Sequence, residues 1–362
     1  IGFHEPHTPY TESFAAHRKI ELLAIQVPTF YPETDTTRSV IASYLAEIEH
    51  LDDQVGAVFK VLEKHNELDN TLIIFTSDNG MPFPRAKGNL YDHGLRVPLV
   101  AFWSEVISPQ RRVDDLVSLT DLAPTFVDIA GLRIPDQMSG QSLLDFFRTD
   151  KSGKIRSDSR KIFAGTERHG KKSACKLWSM ENVLPDDAKC GNYPGRSIRS
   201  NEYLLIWNAM PDNFPIATDV KGNLIKKEIV KEHDIENGYI AFNIEKRPEF
   251  ELYHLVTDTY AVKNLSFDTT HDAKFNQMKQ ELFDYLRERM DPRVIGNPSL
   301  WDFTPEFILH QGATDFIYSS RGQGGNIPKK RLLKMLDTYY EEHGYDQKYK
   351  TKVLDRLEEN MN

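Results

Sequence analysis

Thr71-Leu72-Ile73-Ile74-Phe75-Thr76-Ser77-Asp78-Asn79-Gly80 is the stretch on which the reading of this chain turns. Residues 71–76 are apolar or β-branched throughout and carry no charge. A short unbroken run of this kind suits a strand covered on both faces, as in a parallel sheet. It stops in a cluster of turn-formers at the strand's carboxyl end. In open α/β sheets ligands bind at that end. Asp78 and Asn79 set a carboxylate beside an amide carbonyl, two hard oxygens of the kind that Ca²⁺ or Mg²⁺ takes. Taken alone, Asp-Asn-Gly is also an ordinary turn sequence.

Upstream, apolar residues at 41, 44, 45, 48, 51, 55, 58, 59 and 62 recur in steps of three and four. Those steps predict an amphipathic helix over 41–62, and 66–70 is a polar break before the strand. Downstream, 80–96 reads as a loop and 97–103 as a second buried strand. Residues 121–129 predict a helix that tolerates Pro124 in its first turn and stops at Gly131. Helix and strand alternate, so residues 1–150 are expected to form an α/β sheet with helices on its faces.

The texture changes after about residue 150. A charged, polar linker occupies 151–161. Short strand candidates follow at 162–164, 197–198, 203–207 and 251–256, with turn residues between them. They predict a smaller, mostly antiparallel sheet, against which an amphipathic helix over 275–290 can pack. Residues 151–300 therefore read as an α+β subdomain. Residues 301–362 read as a helical extension of mixed charge. No internal repeat or low-complexity block appears.

Composition narrows the function classes. Of 362 residues, 40% are hydrophobic and 27% charged, which excludes a disordered, collagen-like or disulfide-scaffold chain. The net charge of −9 gives no basic field for nucleic acid or an anionic lipid surface. The longest apolar run, 97–103, falls far short of the roughly 20 residues of a membrane span. Cys175 and Cys190 lie close in a loop-rich stretch, where a disulfide and free thiols are equally open readings. The chain opens Ile1-Gly2-Phe3-His4, like the end of a strand, which points to the later part of a longer protein.

The loop after the turn strengthens its chemistry. Lys87 follows Asp78, with His93 and Arg96 further on and two prolines and two glycines shaping the backbone between them. Cations beside a metal-binding carboxylate suit an anionic oxyester such as a sulfate or phosphate.

The stretch 71–99 resembles the sulfatases of the alkaline-phosphatase superfamily, in which a strand ends in Asp-Asn-Gly, then a Lys or Arg, then Gly-x-Arg-Val-Pro-Leu. The resemblance continues in Phe3-His4-Glu5-Pro6-His7, in Asp121-Leu122-Ala123-Pro124-Thr125 and in Gly140-Gln141-Ser142-Leu143. Further on, Glu251-Leu252-Tyr253-His254-Leu255 with Asn264-Leu265 resembles the family's C-terminal sheet signature. Asn79 to Pro84 with 3–7, 167–169 and 193–199 look most like the N-sulfoglucosamine sulfohydrolase group and bacterial glycan sulfatases. The fold implied is an alkaline-phosphatase-like mixed sheet flanked by helices, plus the smaller C-terminal subdomain.

The resemblance also implies roles. Asp78 and Asn79 match metal ligands, with Ca²⁺ expected ahead of Mg²⁺. Lys87 matches the sulfate-binding cation, and His7 the histidine that contacts sulfate or protonates the leaving group. His4 would position His7 or touch the substrate. His93, Glu167, Arg168 and His169 would contact the sugar. Arg96 reads as a structural ion-pair partner, and Arg196 and Arg199 as structural. The family nucleophile is a formylglycine made in a Cys/Ser-x-Pro-x-Arg motif, which this sequence lacks. It is expected in a preceding segment of the same protein, without which this chain would be inactive.

The function implied is hydrolysis of sulfate from a sulfated mono- or oligosaccharide. A phosphoester or phosphonate hydrolase and a non-catalytic sulfated-glycan binder are the alternatives. Neither nucleic acid nor membrane is an expected partner, and self-association is left open. A periplasmic or secreted bacterial location is favoured over a lysosomal one, because Asn264-Leu265-Ser266 is the sole Asn-x-Ser/Thr sequon.

Overall fold

Thr34 fixes where the first long helix begins. Its side chain accepts a hydrogen bond from the Thr37 amide, and Asp35 stands in the first turn, where the helix dipole favours a negative charge. Helix α1 runs Asp35–Lys64, longer at its start than the apolar spacing predicts because its first turn is polar. A computed structural model describes residues 1–10, 20–157, 159–167, 184, 188, 193–216, 224–231, 238–296, 334, 337, 341 and 351. Arg168, His169, Cys175, Cys190 and nearly all of 301–362 lie outside the described residues.

Strand β1 is Ile73–Thr76 and β2 is Leu99–Phe102. The sequence predicts β1 as a strand covered on both faces of a parallel sheet. Its ladder among the described residues is antiparallel instead, Ile73 opposite Phe102 and Thr76 opposite Leu99, and all four residues are half-buried. An apolar run does not encode strand direction; the connection does. Here the connecting loop leaves and returns at one end of the pair, closed by Gly80 N donating to Gly94 O at 3.1 Å. A short helix, α2 (Asp92–Leu95), lies inside that loop.

One face of β1–β2 packs Ile74, Leu99 and Ala101 against Leu143, Leu144, Phe146 and Phe147. The last three belong to α4 (Leu144–Arg148). Helix α3 (Leu122–Ile129) adds Leu122 and Ile129 to the same cluster. It follows a tight turn at Leu119–Asp121, where Ser118 and Asp121 form a reciprocal capping box. Pro124 lies in its first turn and Gly131 follows its end at φ +69°, as the sequence predicts.

Four antiparallel strands form the second sheet in the order β3 (Ile162–Thr166), β4 (Gly195–Arg199), β5 (Tyr203–Asn208) and β6 (Phe250–His254). Helix α5 (Leu224–Lys231) packs on α1, and α6 (Tyr239–Asn243) follows it. Their core joins Phe30, Tyr31, Phe83, Ile225, Ile229 and Ile244. Phe83 comes from the loop after Asp-Asn-Gly, so that loop is tied into the core. Residues 1–279 form one compact unit and 280–362 a second. Helix α7 (Asp272–Glu288) begins in the first unit, and α8 (Pro292–Ile295) lies in the second, capped by Asp291. No helix among the described residues is long and apolar enough to cross a membrane.

Candidate active site

The turn after β1 is held by its own side chains. Ser77 Oγ donates to Asn79 O at 2.9 Å, and Asn79 Nδ2 donates to Gly80 O at 2.8 Å. Two glycines are required by close approach. A Cβ on Gly80 would lie 1.9 Å from His93 O, and one on Gly94 would lie 2.4 Å from the carbonyls of both Ala86 and Asn89. The loop then folds back, and Lys87 N donates to Met81 O at 3.1 Å. Lys87 thereby returns to the turn that carries Asp78 and Asn79. Asp78 is exposed; Asn79 and Lys87 are half-buried.

Two oxygens here suit a hard divalent cation. Because Nδ2 of Asn79 is engaged with Gly80 O, its Oδ1 remains as the acceptor beside the Asp78 carboxylate. No group of three His, Cys, Asp or Glu gathers into a metal cluster among the described residues. The pair therefore fits part of a Ca²⁺ shell, which takes about six to eight oxygens.

His4 and His7 are exposed, edge to face at 5.0 Å between ring centroids. His7 Nδ1 donates to Thr8 O at 2.6 Å, which orients the ring and leaves Nε2 as its other nitrogen. This segment meets α1 through Glu5, 4.0 Å from His50, and through Tyr10, whose ring centroid is 6.2 Å from that of Tyr44.

The other residues singled out in the sequence divide by environment. His93 stacks on Tyr260 at 5.5 Å and meets Phe30 edge-on at 5.2 Å. Burial lowers its pKa, and the nearby Arg85 adds to that against the pull of Asp92. The carboxylate of Glu167 is paired with the buried guanidinium of Arg196, which also donates to Thr166 O at 2.9 Å and Gly195 O at 2.8 Å. Arg96 is exposed and makes no ion pair among the described residues. The structural pairing that the sequence assigns to it falls to Arg199, which grips Asp92 through Nε at 3.0 Å and Nη2 at 3.1 Å. Gly88, next to Lys87, and Thr166, next to Glu167, line one cleft with Tyr193, Arg247 and Glu251. The Lys87 loop and the end of β3 thus face a common space.

Sequence reasoning gave no individual role to two buried groups beside that cleft. Glu251 accepts from Tyr91 OH at 2.7 Å, Tyr253 OH at 2.6 Å and Asn208 Nδ2 at 2.8 Å. Burial, partly offset by Arg247 and Arg85, pushes the Tyr91 hydroxyl up to about 12, so it stays a donor. The second group is Arg85, only 2% exposed between Pro84 and Ala86. No local signal marks it, because its partners, Phe242 O and Ala261 O, lie far along the chain.

The structure of BT4656 in complex with D-glucosamine-2-N,6-O-disulfate shares the fold at TM-score 0.50 and 19% identity, over 79% of this chain and 47% of that one. Residues 1–132 match the family model described as Sulfatase. It is 25% identical to an ulvan-active sulfatase of Formosa agariphila over 265 residues, 72% of this chain and 40% of the relative. It is also 25% identical to human N-sulphoglucosamine sulphohydrolase over 312 residues, 80% of this chain and 54% of the relative. The chain spans about half the length of the curated relatives it matches.

Proposed function

We propose that this chain is part of a sulfatase that removes sulfate from a sulfated sugar or polysaccharide. One observation carries the reading: Lys87 folds back, amide to Met81 carbonyl at 3.1 Å, onto the turn bearing Asp78 and Asn79. A cation and two hard oxygens then converge where a tetrahedral anion can be held. The names of the relatives, ulvan-active and N-sulphoglucosamine among them, support a glycan substrate.

In this reading Asp78 and Asn79 Oδ1 hold a divalent cation, Ca²⁺ in preference to Mg²⁺, whose chemistry is to polarise the sulfate and stabilise charge on the nucleophile. Lys87 binds the sulfate oxygens. His7, oriented by Thr8 O, delivers a proton from Nε2 to the leaving oxygen or nitrogen. His4 supports the His7 ring. Glu167, Arg168 and His169 are assigned the sugar contacts, and Glu167 is fixed by Arg196. His93 backs the loop from its aromatic packing and has its Nε2 buried without a hydrogen-bond partner among the described residues.

The nucleophile, a formylglycine, is assigned to a preceding segment of the same protein. A two-stranded sheet is marginal by itself, and β1–β2 has half-buried residues and Val100 58% exposed. That segment is proposed to cover this surface. The protein is assigned to the periplasm or the exterior.

The test is metal content and turnover of the complete enzyme. Asp78→Ala is expected to lower Ca²⁺ affinity and nearly abolish hydrolysis of an aryl sulfate. Full activity in that variant, or after exhaustive chelation, would overturn the assignment. Turnover of an aryl phosphate in place of the sulfate would move the chain to a phosphoester hydrolase.

A further inference from the structure

Arg85 stands two residues before Lys87 and has no part in the proposed chemistry. Its backbone is left-handed, with φ +60°, a conformation that L side chains rarely adopt. Its guanidinium is buried. Nη1 donates to Phe242 O at 2.7 Å and Nη2 donates to Ala261 O. The guanidinium carbon lies 3.9 Å from the centroid of the Tyr91 ring. Phe242 is on α6, and Ala261 follows β6, so both acceptors come from far along the chain. Buried guanidinium groups usually meet a carboxylate. This one grips two main-chain carbonyls and an aromatic face, and so acts as a mechanical tie.

The tie reaches Lys87 through the backbone. Phe83 N donates to Met81 O at 2.9 Å, Ala86 N to Phe83 O at 3.2 Å and Lys87 N to Met81 O at 3.1 Å. The reversal at Arg85 is what lets the last of these bonds close. Tyr31 OH, donating to Pro84 O, holds the preceding residue. Without the Arg85 side chain, the disfavoured backbone at residue 85 loses its own side-chain anchor, and the next side chain with a charge is Lys87.

We infer that Arg85 is a positioning residue that holds Lys87 in register with Asp78 and Asn79. The inference rests on the reading of Lys87 as the sulfate-binding cation. It places the geometry of the anion site under the control of α6 and the turn after β6, two elements that carry none of the proposed catalytic groups.

A double-variant cycle in the complete enzyme tests this, with 4-nitrophenyl sulfate as substrate and rates taken per folded molecule. Arg85→Met is expected to lower kcat about 10- to 100-fold, the scale of a displacement of about 1 Å in a positioned group. Lys87→Ala is expected to lose about 100-fold or more. The double variant should be no slower than Lys87→Ala alone, because Arg85 then has nothing left to position. Losses that multiply would overturn the inference and leave the reading of Lys87 intact. Unchanged kinetics in Lys87→Ala would overturn that reading, and the inference with it. Should Arg85→Met not fold by circular dichroism, the same cycle is run with Arg85→Lys, which keeps the charge but loses the two-pronged grip. Full kcat in Arg85→Lys would overturn the inference; a partial loss that vanishes in the Lys87→Ala background would support it.

Discussion

Lys87 is the side chain whose removal separates chemistry from scaffold most cleanly. It is half-buried on a loop, and its backbone bond to Met81 is made by the amide, not by the ammonium group. Lys87→Ala should therefore keep the melting temperature within a degree or two. The rate on an aryl sulfate should still fall about 100-fold, the range for losing a preorganised charge-stabilising donor. His93 makes the opposite case, a residue whose effect lies in stability. Burial and Arg85 hold its folded-state pKa below the ordinary histidine value. The unfolded chain then binds more protons as pH falls through about 6.5, and stability drops there. Chemical denaturation between pH 7.5 and 5.5 should show this fall, and His93→Gln should flatten it. A slope unchanged in the variant would place the titrating group elsewhere. The sequence shows His93 near Asp78, but its packing on Tyr260 depends on a residue 167 positions away and is not legible locally.

Elements were legible where local chemistry decides them. Helix α3 was readable from Pro124 and Gly131, and the second sheet from short strand candidates with turn residues between them, because caps, breakers and turns act within a few residues. Strand direction was not. The run 71–76 reads the same in a parallel or an antiparallel ladder, and the closure between Gly80 and Gly94 settles it at long range. Asp121 ties α3 to distant backbone. Its buried carboxylate accepts from Ser118 N at 2.8 Å, Gln141 N at 2.9 Å and Arg160 at 2.6 and 2.7 Å. Burial opposes the charge, but these donors together outweigh it and hold the pKa below the usual carboxylate range. The contribution is complete above about pH 4 and is lost as pH falls through the lowered value. Asp121→Asn leaves Arg160 without its counter-charge and should cost about 3 kcal/mol, the low end for breaking a buried pair. Calorimetry of the two proteins checks it, and an unchanged melting temperature would remove the pair from the fold's supports.

At the scale of the whole molecule, distance from the anion should sort the variants. His7 is proposed at the leaving group and residues 167–169 at the sugar. His7→Ala should slow every sulfated substrate, with activated aryl sulfates hit less because a good leaving group needs less proton assistance. Glu167→Ala should slow a sulfated oligosaccharide and largely spare an aryl sulfate, since outer contacts help only substrates large enough to reach them. The measurement is kcat/KM on both substrates. Equal losses for Glu167→Ala would place its pair with Arg196 in the support of the fold.

The tie at Arg85 has a consequence for how this protein can change over generations. Its donor is one side chain, but its acceptors are the main-chain carbonyls of Phe242 and Ala261. Every amino acid supplies a carbonyl, so drift at 242 and 261 that preserves the backbone path leaves the tie intact. The mutational risk is lopsided and falls almost wholly on the single codon of Arg85.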